Sequence, residues 1–519
     1  MEILPHSSLF EASLSTRNAL CSAFVMLVAY FVYNLILDDK SIPGFEVAGK
    51  RPGEWTNMRA RYRFILNAKD VVETGLKQAK NGIFQVITHS GPQVVLPVRF
   101  LDEIRNNPHL DLHGMPKDDW FSEYAAFSPI RVMERGHVMV NMINRKLTTS
   151  LALVTAPVNE ETNIAMERVW PRTDEWRPSL FVNESLELVA QVSSRIFVGA
   201  PLCRNPEWIR LAKNFTVDFV TAAYAMRFIP TPFRPLFYYI LPPVYKLKNT
   251  VKAAHVILKP EVEERRRVRN EALARGEATP KRLDSFEWID DVARSDGQEN
   301  FDAVGAQLVL SFVAMHTTSM ATTNVLYDII EHSELIPELR QEIITVMKED
   351  QGWQKTSLYK LKLLDSVMKE SQRMSLGGTI NISRHAQQDI TLSDGTTIPK
   401  DARLGVPMLH MHDPEFYPNP ETFDGKRFLR LRELPENTNK YQFVTTSMDH
   451  LGFGHGKHAC PGRFFASNEI KIMICHLLMK YDWRFKDNKR PANVRIFNET
   501  ILDPKAEIQY KSRVSEVAF

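Results

Sequence analysis

Cys460 stands in the stretch Phe453–Gly462, which reads Phe-Gly-His-Gly-Lys-His-Ala-Cys-Pro-Gly. A thiol closing a glycine-punctuated loop, with a long amphipathic run from Arg463 to Tyr481 behind it, is a thiol delivered to a helix start. Pro461 suits a first helical position, and the partial positive charge of a helix N-terminus favours an anion, so the spacing predicts a thiolate at Cys460. Gly454 and Gly456 admit backbone angles and close approaches that a Cβ forbids. The loop can then lie flat against a large planar ligand, with Phe453 screening the sulfur from water. Two plainer readings compete: a structural cysteine in a tight turn, and a zinc site from His455, His458 and Cys460, which lacks a fourth ligand and a usual finger spacing.

Other reactive side chains lie on longer elements. The longest helical pattern, Asn300–Glu331, is apolar on most sides and so predicts a helix through the middle of the domain; Asp302, Gln307, His316, Asn324 and Asp328 argue against its spanning a membrane. At its centre, Val313-Ala314-Met315-His316-Thr317-Thr318 sets an imidazole and two hydroxyls among small apolar groups, which taken alone are core residues with satisfied hydrogen bonds. Glu370 and Arg373, three apart on the helix-like run Leu361–Arg373, share a face and can pair. Arg145 falls in a helical run from His137 to Leu151, where alone it is a solvated charge, and Arg384 follows the Gly377-Gly378 turn on a strand-like exit.

The order of these features resembles the cytochrome P-450 family. Phe453, Gly456, Cys460 and Gly462 match its haem-ligand signature Phe-x-x-Gly-x-x-x-Cys-x-Gly, in which the cysteine is the axial thiolate of the haem iron. Glu370 and Arg373 match its Glu-x-x-Arg element. Pro420, Phe423, Arg427 and Phe428 match Pro-x-x-Phe-x-x-x-Arg-Phe, with Gly425-Lys426 in place of the more usual Pro-Glu, and Arg427 would close a buried structural triad with the first pair. The central helix resembles the family's oxygen-activation segment, with His316 at the acidic position and Ala314 at the second small one. The resemblance implies that Thr317 and His316 relay the protons that dioxygen reduction needs in a dry pocket. Arg384, His458 and Arg145 match positions that grip haem propionates, although Asn141 stands where the family has tryptophan.

The fold so implied is mainly α with a small β subdomain, and the activity is haem-thiolate monooxygenation. Its cofactor would be haem b, its electrons would come from NADPH through NADPH–cytochrome P-450 reductase, and its substrate would be an apolar small molecule. Val309, Phe312, Val313 and Ala314 would line an apolar pocket. The Met-His-Thr-Thr and Glu-Ser-Gln-Arg wordings are most similar to fungal microsomal members acting on terpenoid or related secondary metabolites. Two other classes remain open: a haem-thiolate isomerase or dehydratase that does not use dioxygen, against which Thr317 argues, and a non-enzymatic membrane haem sensor or carrier.

The elements that must position these groups follow from composition and pattern. The chain has 519 residues, 44% hydrophobic and 24% charged, with no linker dividing it after the N-terminus, which favours one large catalytic domain. A net charge of +3 without a basic-aromatic stripe gives no reason to expect nucleic acid. Its four scattered cysteines argue against a disulfide framework. Ala19–Leu37 is apolar enough to span a bilayer, and Lys40, Lys50 and Arg51 beyond it place the bulk of the chain in the cytosol.

The expected organisation is a lumenal tail over 1–18, a transmembrane anchor over 19–37, a proline/glycine connector over 38–60 and the catalytic domain over 61–519. The expected localisation is the endoplasmic reticulum membrane, crossed once, with the catalytic domain facing the cytosol. Phe84–Ile87 and Val94–Val98 read as a hairpin about Ser90-Gly91-Pro92. Asn214–Tyr245, crowded with aromatics and prolines, should end one helix, prevent another before about Val244, and either dip into the membrane interface or pack as ordinary core; the resemblance implies that it lids the pocket.

Overall fold

Long runs at helical spacing, cut by Pro and Gly, wrap one large apolar core, and a small sheet system with its own two apolar clusters stands beside it. The computed structural model describes residues 17–18, 21–29, 32 and 40–519, apart from 113–118, 135–136, 230–232, 299, 355, 376–377, 497–498 and 519. The architecture is mainly α with a small β part, as the sequence implies.

The sheet part begins with helix α1 (Met58–Gln78), packed on strand β1 (Phe84–Thr88). Strand β2 (Gly91–Val95) pairs antiparallel with β1, and Thr88 faces Gly91 across the turn. Gly91 and Pro92 therefore belong to the second strand, and the turn is His89-Ser90, held by the Thr88 hydroxyl donating to Gly91 O at 2.8 Å. Strands β3 (Leu110–Asp111), β4 (Ile380–Ala386) and β5 (Arg403–Pro407) complete a sheet of order β1-β2-β5-β4-β3, parallel only at β2–β5.

Residues 42–48, within the stretch expected as a proline/glycine connector, are bound to this sheet. The Gln85 side chain, fully buried in β1, accepts from Ile42 N at 2.8 Å and donates to Ile42 O at 2.8 Å and Phe45 O at 2.6 Å. Its backbone pairs with Glu46 O and Ala48 N, each at 2.8 Å. A buried amide satisfied by one passing segment holds that segment in place.

The helical part comprises α2 (Val138–Met142), α3 (Leu151–Val169), α4 (Phe181–Phe197), α5 (Pro206–Arg227), α6 (Pro242–Ala274), α7 (Ser285–Ser295), α8 (Ala303–Glu331), α9 (Lys362–Met374) and α10 (Arg463–Lys480). Helix α8 runs through the middle against α4, α5, α9 and α10, capped where Asp302 accepts from Gly305 N at 2.9 Å. Among the described residues it alone is long and apolar enough to cross a membrane, and it is a mostly buried core helix.

Residues 21–29 are helical with exposed apolar side chains, Phe24 at 66%. The rest of the expected anchor, Ala19, Leu20, Tyr30, Phe31 and Tyr33–Leu37, lies outside the described residues, as does the tail before Arg17.

Two helix boundaries differ from expectation. The run His137–Leu151 is not one α-helix: it widens to a π turn over Ile143–Leu147 and tightens over Thr148–Ser150 before α3. Threonine hydroxyls compete for its carbonyls, Thr148 at Ile143 O and Thr149 at Arg145 O, both 2.8 Å. Helix α6 starts at Pro242 rather than near Val244, because proline is tolerated in a first turn where its missing N–H costs nothing.

Helix α9 carries the expected buried triad. Arg373 Nη2 and Nε donate to the two Glu370 oxygens at 2.8 and 2.9 Å, both side chains having no exposure, and Arg427 Nε lies 3.1 and 3.2 Å from the same carboxylate. Arg373 Nη1 also donates to Met411 O at 2.8 Å, and Asp424 N to Glu370 at 3.1 Å. Glu370→Ala leaves two guanidinium groups without their anion and is expected to cost about 3–5 kcal/mol, measured by urea unfolding. Replacing Glu370 and Arg373 together by Leu and Met should cost less than the single change.

Candidate functional site

The thiol loop is built by short-range backbone bonds. Cys460 N donates to Phe453 O at 2.8 Å and Gly454 N to Leu451 O at 2.8 Å, closing a tight fold through Gly454 and Gly456 at φ +68° and +81°. Helix α10 begins at Arg463, where the expected run starts, with Gly462 as its N-cap, so Pro461 precedes the helix instead of opening it. From Phe465 onward α10 is buried on nearly every side rather than amphipathic. Cys460 is half-buried.

Burial pushes the Cys460 thiol up, and the N–H groups of Gly462 and Arg463 with the Arg463 charge pull it back only in part. Arg463 holds the loop from below, donating to Cys460 O at 2.7 Å and Val444 O at 3.2 Å.

The two loop glycines serve different contacts. A Cβ on Gly456 would lie 2.7 Å from Arg105 Cβ and 2.8 Å from its carbonyl oxygen, so this glycine lets the loop press on the 105–106 backbone, where Lys457 N donates to Asn106 at 2.8 Å. At Gly462 a Cβ would meet nothing within 4 Å. Phe453 packs edge-on against Phe443, ring centroids 5.0 Å apart. His455 is engaged on both ring nitrogens, by Arg105 at 3.1 Å and Thr446 at 3.0 Å, and His458 is half-buried in the turn before the thiol.

Strand β4 runs beside the loop, with Asn381 Nδ2 donating to Leu451 O at 3.2 Å. Its register slips between Asn381 and Arg384, and Ile382 sits at φ +51°, a left-handed angle costly for a β-branched side chain. Such a bulge re-aims the residues that follow it. Arg384, 3% exposed, results with one donor on Ser383 O at 2.8 Å and with Nε and Nη2 buried without partners; burial lowers its pKa to about 10. Gly377, ahead of the strand, lies outside the described residues. Arg145 is exposed on the π turn, and the segment around it, with Asn141 half-buried, packs on α7, where Lys146 pairs with Asp291 at 3.2 Å.

On α8, Val313 is 44% exposed and Thr317 is exposed one turn later, although the residues flanking this face are buried or half-buried. Accessible side chains in mid-helix of a core element mark an internal opening. The Thr317 hydroxyl donates to Val313 O at 2.9 Å and Ala314 O at 3.1 Å. His316 points elsewhere, its Nε2 3.0 Å from Lys213 O on α5, and burial lowers its pKa, keeping it neutral. Val309 is core, whereas Phe312 and Ala314 are half-buried at the opening.

Aromatic rings roof this face: Trp120 and Phe127, which no local pattern singled out, and Phe215 and Phe219 of the aromatic-rich 214–245 stretch form, with Phe312, a chain of ring contacts between 5.1 and 6.5 Å. A haem fits these surroundings. The buried donors of Arg384 lack an anion, Gly462 leaves space for a plane beside the thiol, and α8 presents an open apolar face.

Residues 133–512 match the family model described as Cytochrome P450. The chain is 37% identical over 476 residues to cytochrome P450 monooxygenase adrA of Penicillium rubens, covering 91% of this chain and 92% of that one. It is 40% identical over 432 residues to cytochrome P450 monooxygenase hepE of Aspergillus oryzae, covering 83% and 78%. In fold it is similar to the retinoic-acid-bound cyanobacterial CYP120A1, with TM-score 0.63 and 17% identity over 91% of this chain and all of that one.

Gly456→Ala must clash with backbone and adopt a strained φ, so it is expected to destabilise by about 1–3 kcal/mol. Thermal unfolding should register that loss, while Gly462→Ala, with open space and φ −82°, should leave stability near wild type.

Proposed function

The chain belongs to the cytochrome P450 family as a haem monooxygenase, and from that premise we propose that it is anchored in the endoplasmic reticulum membrane and oxidises an apolar terpenoid or related secondary metabolite. Its electrons would come from NADPH through a reductase. The observation that carries this reading is the open face of α8 at Val313 and Thr317, roofed by aromatic rings. Bound haem supplies dioxygen activation, by which one oxygen atom enters the substrate and the other leaves as water.

Each residue then has a task set by its geometry. Cys460 would ligate the haem iron, with Phe453 screening its sulfur, Gly456 keeping the loop close to the 105–106 backbone and Gly462 leaving space beside the thiol. Arg384 would hold a propionate, which supplies the anion its buried donors lack. His458 and the exposed Arg145 would add donors at the rim. Thr317, accessible at the opening, would hold and pass protons through its hydroxyl. His316 stands behind it and would join that relay only by leaving Lys213 O.

The membrane reading, with tail 1–18, anchor 19–37, connector 38–60 and catalytic domain 61–519, has the support of the exposed apolar helix at 21–29 and of the α5–α6 segment. There Phe228, Leu236, Tyr239 and Ile240 are exposed, Tyr239 at 79%. Apolar and aromatic side chains at a surface favour the bilayer interface.

The test is the absorption spectrum of the reduced protein with carbon monoxide. Wild type should give a strongly red-shifted Soret band and Cys460→Ser should lose it; a haem-free wild type would refute the reading. A second outcome follows from the Arg384 burial. In haem-free protein Arg384→Met should raise stability by about 1–3 kcal/mol, because it removes an unsatisfied buried group. In haem-loaded protein the same change should speed haem loss to a scavenging apoprotein.

A further inference from the structure

Phe312 and His316 stand four residues apart on α8 and share one face; Val313 and Thr317, also four apart, share the next. The first face belongs to α5. Phe312 meets the rings of Phe219 and Phe215 at 5.1 and 6.5 Å, and one turn on, His316 Nε2 lies 3.0 Å from Lys213 O. Ring contacts and a hydrogen bond thus hold α5 along the edge of the open Val313–Thr317 face.

The direction of that bond is set by its partner. A carbonyl oxygen has no proton to give, so Nε2 carries the hydrogen and donates it. Burial lowers the His316 pKa, opposed by the Lys213 carbonyl, and the neutral ring has a single N–H, which is committed to α5. Lys213 O lies inside α5, where the helix's own i to i+4 bond takes one lone pair and leaves the second for a donor from outside. Neighbouring side chains of α5 reach other helices. Trp208 Nε1 donates to Ser194 of α4 at 3.0 Å, Lys213 Nζ pairs with Glu187 of α4 at 3.4 Å, and Asp218 accepts from Thr250 of α6 at 2.7 Å. None of these ties α5 to α8. Because α5 is one continuous helix, lifting Phe215 and Phe219 off Phe312 also draws Lys213 O away from His316.

We propose that His316 is a positioning residue whose hydrogen bond to Lys213 O latches α5, the helix carrying two rings of the roof, onto α8 beside the Val313–Thr317 face. Thr317 then passes protons without it. The latch sets how closely the roof covers that face and how readily a bulky molecule enters beneath it. The role of the covered face rests on the monooxygenase reading; the latch itself does not.

The test is hydrogen–deuterium exchange of the full-length protein, comparing wild type with three variants. His316→Leu keeps volume without a donor, His316→Asn carries a donor too short to reach Lys213 O, and His316→Gln sets an amide N–H near the position of Nε2. Amides over residues 211–219 should exchange about two- to tenfold faster in the Leu and Asn variants, the range of one neutral hydrogen bond, and return to the wild-type rate in Gln. Amides of α10 should exchange at the wild-type rate in all three. Unchanged α5 exchange in the Leu and Asn variants, a rise spread equally over α5 and α10, or no recovery in Gln would each overturn the proposal. Haem-loaded protein gives a second readout, the uptake of clotrimazole, a bulky azole whose nitrogen binds haem iron and shifts its absorption. Uptake should be at least about twofold faster in His316→Leu than in wild type, with that of imidazole unchanged. Equal clotrimazole uptake by the two proteins, none included, would overturn the roof's dependence on the latch. Exchange needs no haem, so a haem-free wild type in the carbon monoxide test removes the monooxygenase reading alone, whereas unchanged α5 exchange beside an intact spectrum removes only the latch.

Discussion

The carboxylate of Glu370 is the anion on which the thiol side of the molecule is assembled. It gathers the fully buried Arg373 and the half-buried Arg427, and through them the carbonyls of Met411 at 2.8 Å and Pro418 at 2.8 Å. Neighbouring residues of α9 extend the same work along the chain. Lys369 donates to Gln442 O and Thr445 O at 3.1 and 2.9 Å, and Asp365 accepts from Phe443 N at 2.9 Å while pairing with Arg432 and Lys471. A stretch of some forty residues without long elements is thereby tied to one helix before it reaches Cys460. Because the network is buried, each of its donors must find an acceptor, and that requirement orders the loop.

What was legible in the sequence follows a physical division. The thiol loop, the Glu370–Arg373 pair and the long central helix show locally, through glycine spacing, an i to i+3 pair and an unbroken apolar run. The place of Pro461 just outside α10 did not, because proline suits both the first turn and the residues just outside it. Nor did the protonation of Cys460, which weighs a local helix terminus against burial by distant elements. The pitch changes around Arg145 were hidden because hydroxyl competition for carbonyls leaves an apolar pattern intact. Trp120 and the bulge at Ile382 were missed altogether: Trp120 takes its place from Phe219 and Phe312, and the bulge arises in pairing with the separate strand β5.

The two candidate relay residues show how adjacent positions diverge on a helix. Thr317 and His316 differ by about 100° around α8. One therefore faces the opening and the other the α5 backbone. The histidine that replaces the usual acid links the core helix to the helix ending at Arg227.

The Gln85 cradle bears on how force enters the molecule. Residues 42–48 lie along β1, fastened by side-chain and backbone bonds at a single glutamine and by the packing of Ile42. A tug from the N-terminal segment loads these bonds together, in shear, and passes into the five-stranded sheet instead of peeling α1 from its end. Tethered motion at a surface would leave the helices around Cys460 mechanically quiet, with the sheet acting as the bracket.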